Sequence, residues 1–419
     1  MSDTRTIPRL RVETNPVDDL KMLLPRVDPQ HPLIWMRKGQ GIAGVGEALR
    51  LEFSGANRML DACAAWKEVA EASAVIDPLG VPGTGLVAFG SFAFADDSAA
   101  ASVLIVPKLV LGKRDGKYWV TRIVAEGASG GPDDPGAALP AARPLGSEYR
   151  LSLLPGAMNA DAFRASVDAA VARIADQQLS KVVLARDLVG HLPAGSDLRR
   201  PLTDLALGYP DCWTYAVDGF VGSSPETLVS VSHGHVSARV LAGTTSRGSD
   251  AEADHDKAVA LATSAKDLDE HGFAVTSVVN ALAPHSRNLI TSEIPFTLKL
   301  PNLWHLASDV VGTLSDGSTS LDLIAALHPT AAVAGTPRAE ALSLISELEP
   351  FDRGRYAGPV GWVGADGDGE WAVALRSAQV DESGDITAYA GCGIVADSDA
   401  EREYLETKMK FRPIVEAFG

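Results

Sequence analysis

Cysteine is scarce in this sequence of 419 residues. The three cysteines, Cys63, Cys212 and Cys392, lie far apart and form no CxxC pair. This spacing excludes a thiolate metal site and fits a reducing compartment, so we expect a cytoplasmic protein. Long apolar runs are also missing. No stretch approaches the roughly 20 residues that cross a bilayer, and the N-terminus lacks the basic-then-apolar order of a secretory signal.

Basic charge is in short supply as well. The chain has 54 acidic and 37 basic side chains, a formal net charge of -17. This balance argues against nucleic acids and anionic membranes as partners. Two common motifs are absent, namely GxxxxGK[ST] and HExxH. The P-loop nucleotide-binding and zinc-protease functions therefore lack support.

What the sequence does contain is a long series of alternating apolar segments, interrupted by helical patterns. Runs of strands without strict βαβ alternation favour an α+β fold over a doubly wound sheet. Residues 1–30 are polar and punctuated by proline, which predicts a loose lead-in. The Gly/Pro/Ala-rich segment 127–146 predicts a loop, and its composition leaves open whether it links two domains or is an insertion in one.

Two helical segments carry paired carboxylates. "EREYLETKMK" has Glu403 and Glu406 three residues apart, and "SAKDLDEH" has Asp267 and Glu270 at the same spacing. Each pair therefore shares one helix face. Two such faces together would offer the oxygen ligands that Mg²⁺ prefers. For either pair alone a solvated helix face is the more ordinary explanation, and the spacing leaves both open.

Three further ionisable residues stand in apolar surroundings. Lys181 opens the strand "KVVLARDL", where it either extends to solvent or is desolvated enough to act as a general base. Glu226 follows a Ser-Pro turn and is either a strand-end charge or an acid directed into a pocket. His305 in "LWHLA" is either a hydrogen-bonded core histidine or a ligand contact.

Two glycines, Gly391 and Gly393, interrupt the strand "YAGCGIV". Glycines inside strands mark bulges or a close approach of the backbone to a ligand. In the second case their N–H groups would bind a carboxylate, and Arg376 of "VALRSAQV" would add a bidentate contact.

Ten segments, in this order, resemble the chorismate-utilising enzymes, a family that includes anthranilate, aminodeoxychorismate, isochorismate and salicylate synthases. The resemblance is densest over 155–415 and extends more loosely over most of the chain. The segments are "SKVVLARD", "SSPETLVS", "LAGTTSRG", "SAKDLDEH", "LWHLAS", "LHPTAAVAGTPRAEAL", "ELEPFDRGRYAGPVGW", "VALRSAQV", "YAGCGIV" and "EREYLETKMK".

The resemblance implies one α+β domain over 31–419, with two large, mainly antiparallel sheets stacked and helices packed outside. It implies chorismate as the substrate and Mg²⁺ as the cofactor, with the metal joining the substrate's ring carboxylate to the acidic helices. Glu270 and Glu406 correspond to direct metal ligands, and Asp267 and Glu403 to ligands that act directly or through water. The implied substrate-binding residues are Gly243, His305, Arg376, Tyr389, Gly391, Gly393 and Lys410.

Within the family, the residue that activates the nucleophile indicates the branch. Lys181 stands where anthranilate synthases usually carry glutamine, and Ala242 replaces the nucleophilic lysine of aminodeoxychorismate synthases. A lysine at 181 resembles the water-activating type of isochorismate and salicylate synthases, and "NLWHLA" and "HPTAAVAGTP" favour the isochorismate branch. "AGTTSRG" matches neither branch cleanly, and Cys392 replaces the usual alanine between the glycines.

We therefore expect reversible isomerisation of chorismate to isochorismate. Lys181 would remove a proton from the water that attacks ring carbon C2, and protonated Glu226 would donate to the departing C4 hydroxyl. A salicylate synthase, which goes on to eliminate pyruvate, is the alternative. An inactive or amidotransferase-partnered subunit, which would bind chorismate without hydroxyl chemistry, is a further alternative, and Lys181 and Glu226 together argue against it. Nothing indicates an obligate partner, so we expect a monomer. The sequence leaves open whether the product serves menaquinone or siderophore synthesis.

Overall fold

Two large β-sheets, packed face to face, form most of the fold. The computed structural model describes residues 8–126 and 139–419. In this part of the chain the strands are β1 (Leu10–Pro16), β2 (Leu33–Arg37), β3 (Gln40–Val45), β4 (Leu49–Phe53), β5 (Ala74–Ile76), β6 (Val87–Ser91), β7 (Ser102–Val106), β8 (Leu109–Arg114), β9 (Lys117–Ala125), β10 (Leu154–Pro155), β11 (Lys181–His191), β12 (Trp213–Val217), β13 (Phe220–Ser224), β14 (Thr227–Ser232), β15 (His235–Ser246), β16 (Ser286–Thr291), β17 (Phe296–Lys299), β18 (Leu303–Leu314), β19 (Gly335–Thr336), β20 (Pro359–Gly364), β21 (Gly369–Val373), β22 (Ser377–Val380) and β23 (Asp385–Ile394).

The helices lie outside the two sheets. They are α1 (Arg58–Ala72), α2 (Ala160–Ala175), α3 (Arg199–Gly208), α4 (Ala251–Thr263), α5 (Ala265–Leu282), α6 (Ser320–Leu327), α7 (Arg338–Leu348) and α8 (Ala400–Phe418), with a short 3-10 turn at Leu24–Arg26. None of the helices in the described part of the chain is both long and apolar enough to cross a membrane.

The strand order places distant parts of the chain side by side. The larger sheet runs β10-β11-β23-β22-β13-β12-β2-β3-β8-β9-β1-β5, with β19 also paired to β11. The smaller sheet runs β16-β18-β15-β14-β21-β20-β6-β7-β4, with β17 paired to β18. Among the described strand pairs, only β1 and β5 run parallel. The α+β prediction with two mainly antiparallel sheets is confirmed.

The larger sheet is buried on both faces. Successive side chains of a strand point to opposite sides, and in β2 Trp35 enters the core between the sheets while Ile34 enters a second core. The indole Nε1 of Trp35 donates to Oε2 of Glu370 on β21 at 3.1 Å, which links the two sheets directly. Leu202 of α3 and Phe411 of α8 belong to the second core, so these helices cover the outer face.

The N-terminal segment is part of the fold rather than the loose lead-in that we expected over 1–30. β1 pairs with β9 and with β5 inside the larger sheet. Leu10 and Val12 are buried, whereas Arg11 between them is exposed. The outward residues gave the segment its polar composition and concealed the alternation. Residues 1–7 lie outside the described residues, as does 127–138 of the predicted loop; 139–146 contains no helix or strand.

Leu10→Ala should test this integration of the N-terminus. Leu10 is fully buried, so the truncation should lower the free energy of unfolding by about 2–4 kcal/mol through lost apolar contact and the cavity left behind. Urea denaturation followed by tryptophan fluorescence measures the change. Arg11→Ala, on the exposed side of the same strand, is the control and should stay within about 0.5 kcal/mol of the parent. Equal stability of both variants would contradict the packing of β1.

Candidate active site

The site begins with a lysine that water does not reach. Lys181 is the first residue of β11, and its side chain has 0% exposure. Its Nζ lies 3.1 Å from Oε1 of Glu270 on α5, an ion pair by distance. The same Nζ has no hydrogen-bond partner. Of the two explanations for Lys181, extension to solvent is therefore wrong, and the desolvated amine remains.

Two glycines of β23 make room for this ion pair. β23 lies beside β11, with Gly393 opposite Val183 and Gly391 opposite Ala185. A Cβ at residue 393 would lie 2.9 Å from Cε of Lys181 and closer still to Oε1 of Glu270. Such distances are shorter than van der Waals contact allows. The glycine is therefore required because two buried charged side chains occupy the space of its missing side chain.

Glu226 is a buried carboxyl group whose surroundings favour the protonated form. It lies between β13 and β14 and is buried, and its backbone N–H donates to Oγ of Ser224 at 3.2 Å. Burial raises the pKa of Glu226 to about 7, against the opposing influence of nearby Lys181. A carboxyl group with such a pKa is partly protonated at neutral pH. The burial of Glu226 and its raised pKa therefore both favour the explanation of an acid in a pocket.

His305 and Arg376 form a neutral-and-charged pair in the same cavity. Nη2 of Arg376 lies 3.2 Å from Nε2 of His305, and because guanidinium only donates, Nε2 is the acceptor. The His305 proton is therefore on Nδ1, which lies 3.0 Å from Oγ1 of Thr244 and 3.3 Å from the carbonyl oxygen of Gly243. Burial, followed by Arg376, holds the pKa of His305 well below its usual range. The histidine is thus a neutral contact that fixes Arg376.

His305 contacts Gly243 on one side and Arg376 on the other, and both of these residues have an unusual backbone conformation. Gly243 sits at a bulge where the register of β15 against β18 shifts, with φ +80°. A Cβ there would lie 3.1 Å from Cβ of Asp267, so the bulge lets α5 approach the strand. Arg376 has φ +50°, uncommon for a residue with a side chain, and its carbonyl accepts from the backbone N–H of Ser223 at 3.0 Å.

The acidic pairs lie on neighbouring helices. The helical pattern over 251–283 is divided at Ser264, whose Oγ accepts from the backbone N–H of Asp267 at 3.3 Å and so caps α5. Burial raises the pKa of Asp267, and nearby Glu270 and Glu406 raise it further. Burial and then Glu406 raise the pKa of Glu403. These mutual effects show that the carboxylates of α5 and α8 lie close to one another.

A lysine faces each of three of these carboxylates. The pairs are Glu270 with Lys181 at 3.1 Å, Glu403 with Lys266 at 3.3 Å, and Glu406 with Lys410 at 2.6 Å.

The donor set suits a hard divalent cation, although the carboxylates are not gathered around one point. Within residues 8–126 and 139–419, no group of three or more His, Cys, Asp or Glu side chains is arranged to hold a metal ion. The four side chains nevertheless offer only oxygen donors, which Mg²⁺ prefers. Burial raises the pKa of both Asp267 and Glu403 and Glu406 raises it further, so a nearby cation would stabilise the charged form of these carboxylates.

One enclosed cavity joins most of the predicted residues. The predicted residues that line it are Glu226, Gly243, Glu270, His305, Arg376, Gly391, Gly393 and Lys410. Nζ of Lys410 donates to the carbonyl oxygen of Gly391 at 2.9 Å and thereby joins α8 to β23. Lys181 adjoins the cavity through Glu270 and Gly393. Strands of both sheets and helices α5 and α8 therefore meet at this point.

Tyr389 lies outside the cavity lining. Its ring stacks on Tyr356 with centroids 5.4 Å apart, and Tyr356 is the residue that lines the cavity. The hydroxyl of Tyr389 donates to the carbonyl oxygen of Asp352 at 3.3 Å. Tyr389 thus supports a wall of the cavity from behind.

Sequence reasoning gave no role to Thr244 or Arg353, although both line the cavity. Arg353 is paired with Glu349, and both side chains are 2% exposed. Arg353 also donates to the carbonyl oxygens of Val183 and Val333. The signal available in the sequence was Glu349 and Arg353, an acid and an arginine four residues apart in "ELEPFDR".

The comparisons with known proteins agree with this geometry. The family described as "Chorismate binding enzyme" matches residues 2–419. The chain belongs to this family.

Relatives within the chorismate-binding enzymes include isochorismate synthases. Isochorismate synthase DhbC of Bacillus subtilis is 42% identical over 269 residues, covering 61% of this chain and 67% of that protein. Isochorismate synthase MenF of the same organism is 34% identical over 266 residues, covering 62% of this chain and 56% of that protein. The second match therefore spans little more than half of the relative.

A solved structure shows the same fold. It is that of DhbC from Bacillus anthracis, with a TM-score of 0.77 at 29% identity. The superposition covers 95% of this chain and 98% of the other.

Gly393→Ala should disable this chorismate-binding enzyme without unfolding it. The new methyl group would push Glu270 and Lys181 from their places, and displacements of this size at a reacting centre cost about a hundredfold or more in rate. The measurement is chorismate consumption, with circular dichroism as a check on folding. Gly272→Ala, in α5 where a Cβ would meet nothing within 4 Å, is the matched control. Full turnover in Gly393→Ala would contradict the packing described here.

Proposed function

We propose that this chorismate-binding enzyme is an isochorismate synthase, an isomerase that converts chorismate reversibly to isochorismate. The observation that carries the proposal is a cavity lined by the buried carboxylic acid Glu226, whose wall at Glu270 and Gly393 adjoins the buried amine of Lys181. The names of the relatives described above point in the same direction.

Lys181 has the properties of the base. Its amine is enclosed, and Nζ has no hydrogen-bond partner. A neutral amine in this position accepts a proton from a water molecule, and the hydroxide equivalent so formed attacks ring carbon C2. Because water is the nucleophile, no amidotransferase partner is needed to deliver ammonia.

Glu226 has the properties of the acid. Its pKa of about 7, raised by burial, keeps a proton available at neutral pH. That proton passes to the C4 hydroxyl as its bond to carbon breaks, so it leaves as water. The ring double bonds shift during this exchange, and the number of hydroxyl groups on the ring is unchanged. The lysine regains its neutral form when the protons taken up and given away return through solvent.

The substrate carries two carboxylates, and the cavity offers cations to receive them. Arg376 and Lys410 line it, and both are largely enclosed. Charged hydrogen bonds are strong where water is excluded. These residues therefore bind an anion inside a protein whose net charge is -17.

Mg²⁺ is the cofactor in this proposal. Glu270 and Glu406 would hold it directly, and Asp267 and Glu403 would act directly or through water. When bound, the ion offsets negative charge on the substrate and helps to orient it.

The deciding experiment is the identification of products from purified protein, chorismate and Mg²⁺ by liquid chromatography. We expect isochorismate and a return to chorismate when isochorismate is supplied. Lys181→Met and Glu226→Gln should each lower turnover by at least about a hundredfold, because each removes one proton-transfer group. Both variants should still bind chorismate, as measured by calorimetry.

Other products would point elsewhere. Salicylate and pyruvate formed without an added lyase would identify a salicylate synthase instead. An aminated product that depends on ammonia would identify an amidotransferase-linked enzyme. Full activity in either variant would remove that residue from the mechanism.

The pH profile tests the role of Glu226 separately. The acid acts only when protonated, and the protonated fraction decreases as pH rises through its pKa of about 7. We therefore expect kcat/KM to decline by about tenfold per pH unit on the alkaline side. Initial rates from pH 6 to 9 measure this, with Gly272→Ala as a control that should follow the parent. A profile that stays level to pH 9 would count against Glu226 as the acid.

A further inference from the structure

One lysine beside the four carboxylates of α5 and α8, the acidic cluster, has no part in the proposed reaction. Lys181 serves as the base and Lys410 lines the cavity. Lys266 does neither. It lies in the first turn of α5, directly before Asp267, and points to the other acidic helix.

Lys266 joins α5 to α8 through a predicted metal ligand. Its Nζ donates to Oε1 of Glu403 at 3.3 Å. The Glu403 side chain is 5% exposed, so this carboxylate has little access to water. An enclosed carboxylate without a cation nearby would be costly. Lys266 therefore supplies the positive charge that Glu403 requires.

Lys181, Lys266 and Lys410 each pair with one of the acidic residues of α5 and α8, and they differ in how exposed they are to solvent. The side chains of Lys181 and Lys410 are 0% and 12% exposed. That of Lys266 is 35% exposed, at the edge of the cluster. A lysine has a long flexible stem, so Lys266 can turn its ammonium group into solvent without disturbing the core.

We propose that Lys266 is a positioning residue that stands in for the divalent cation. While the metal is absent, its ammonium group neutralises Glu403 and holds α5 against α8. It turns to solvent when the ion binds, and Glu403 then faces the metal. This inference rests on the metal site of the proposed function. It adds that the chain carries its own competitor for that site.

Two consequences follow from competition between ammonium and metal. Removing the lysine charge should strengthen metal binding, because the ion no longer has to displace a favourable contact. It should also destabilise the protein without metal, because Glu403 is left enclosed without a counter-ion. A purely structural contact would give the second effect and not the first.

The test is Lys266→Met, which keeps the apolar stem and removes the charge. Titration of the purified protein with MgCl₂ in a calorimeter should show about two- to fivefold tighter binding than in the parent, the range of a partly exposed ion pair. Thermal denaturation should give a lower Tm than the parent without Mg²⁺, and the difference should narrow at saturating Mg²⁺.

Three further variants control the result. Lys266→Arg keeps the charge and should bind Mg²⁺ as the parent does. Lys67→Met removes a lysine paired with Glu71 on α1, where both side chains are well exposed, and should change nothing. In a Glu403→Gln background, Lys266→Met should no longer strengthen binding, because the pair is already broken.

The outcomes separate this inference from the proposed function. If the parent binds Mg²⁺ and Lys266→Met binds it equally or more weakly, Lys266 is no competitor and the metal site stands. If Lys266→Arg also binds more tightly, packing rather than charge is responsible and the inference is wrong. If neither the parent nor Lys266→Met binds Mg²⁺, with or without chorismate, the metal site and the inference are both overturned.

Discussion

The ion pair between Lys181 and Glu270 is enclosed by protein, and the neighbouring elements are arranged to keep it there. A buried polar group without a hydrogen bond is unfavourable unless the rest of the fold compensates for it. β23 supplies Gly393, whose missing side chain is the space that both groups use. α5 is brought close by the bulge at Gly243. The burial of this amine therefore depends on several neighbouring elements and not only on its own strand.

The same enclosure explains how an acidic protein provides a site for an anionic substrate. Net charge acts over long distances and is screened by salt, whereas groups inside a cavity act at contact distance in a poorly polarisable medium. Arg376 and Lys410 thus set the local charge of the cavity despite the acidic net charge of the protein. Burial also acts on Glu226 in the opposite sense, since the neutral acid is the form that a site without water favours.

Part of this arrangement could be read from the sequence. The (i, i+3) spacing of Asp267 with Glu270 and of Glu403 with Glu406 correctly predicted two acidic helix faces, because helix geometry is local. The break at Ser264 was missed, since a serine between helical patterns gives only a weak signal without its hydrogen bond. β1 was missed because its outward residues are polar. Tyr389 was predicted from the family resemblance to bind substrate, but it lies behind the cavity lining and stacks on Tyr356. This position depends on contacts between residues that are distant in the sequence.

The sequence by itself determined the residue types, their local spacing and the family, because these depend on neighbours along the chain. It left two explanations for Lys181, two for Glu226 and two for His305. The tertiary structure decided that Lys181 is buried and that Glu226 and His305 line one cavity, since burial depends on which distant segments come together. β11 meets β23 across some two hundred residues of chain, and α5 meets α8 through the ion pair of Lys266 with Glu403. A side chain's exposure and its nearest charge follow from those encounters, and so does the chemistry it can perform.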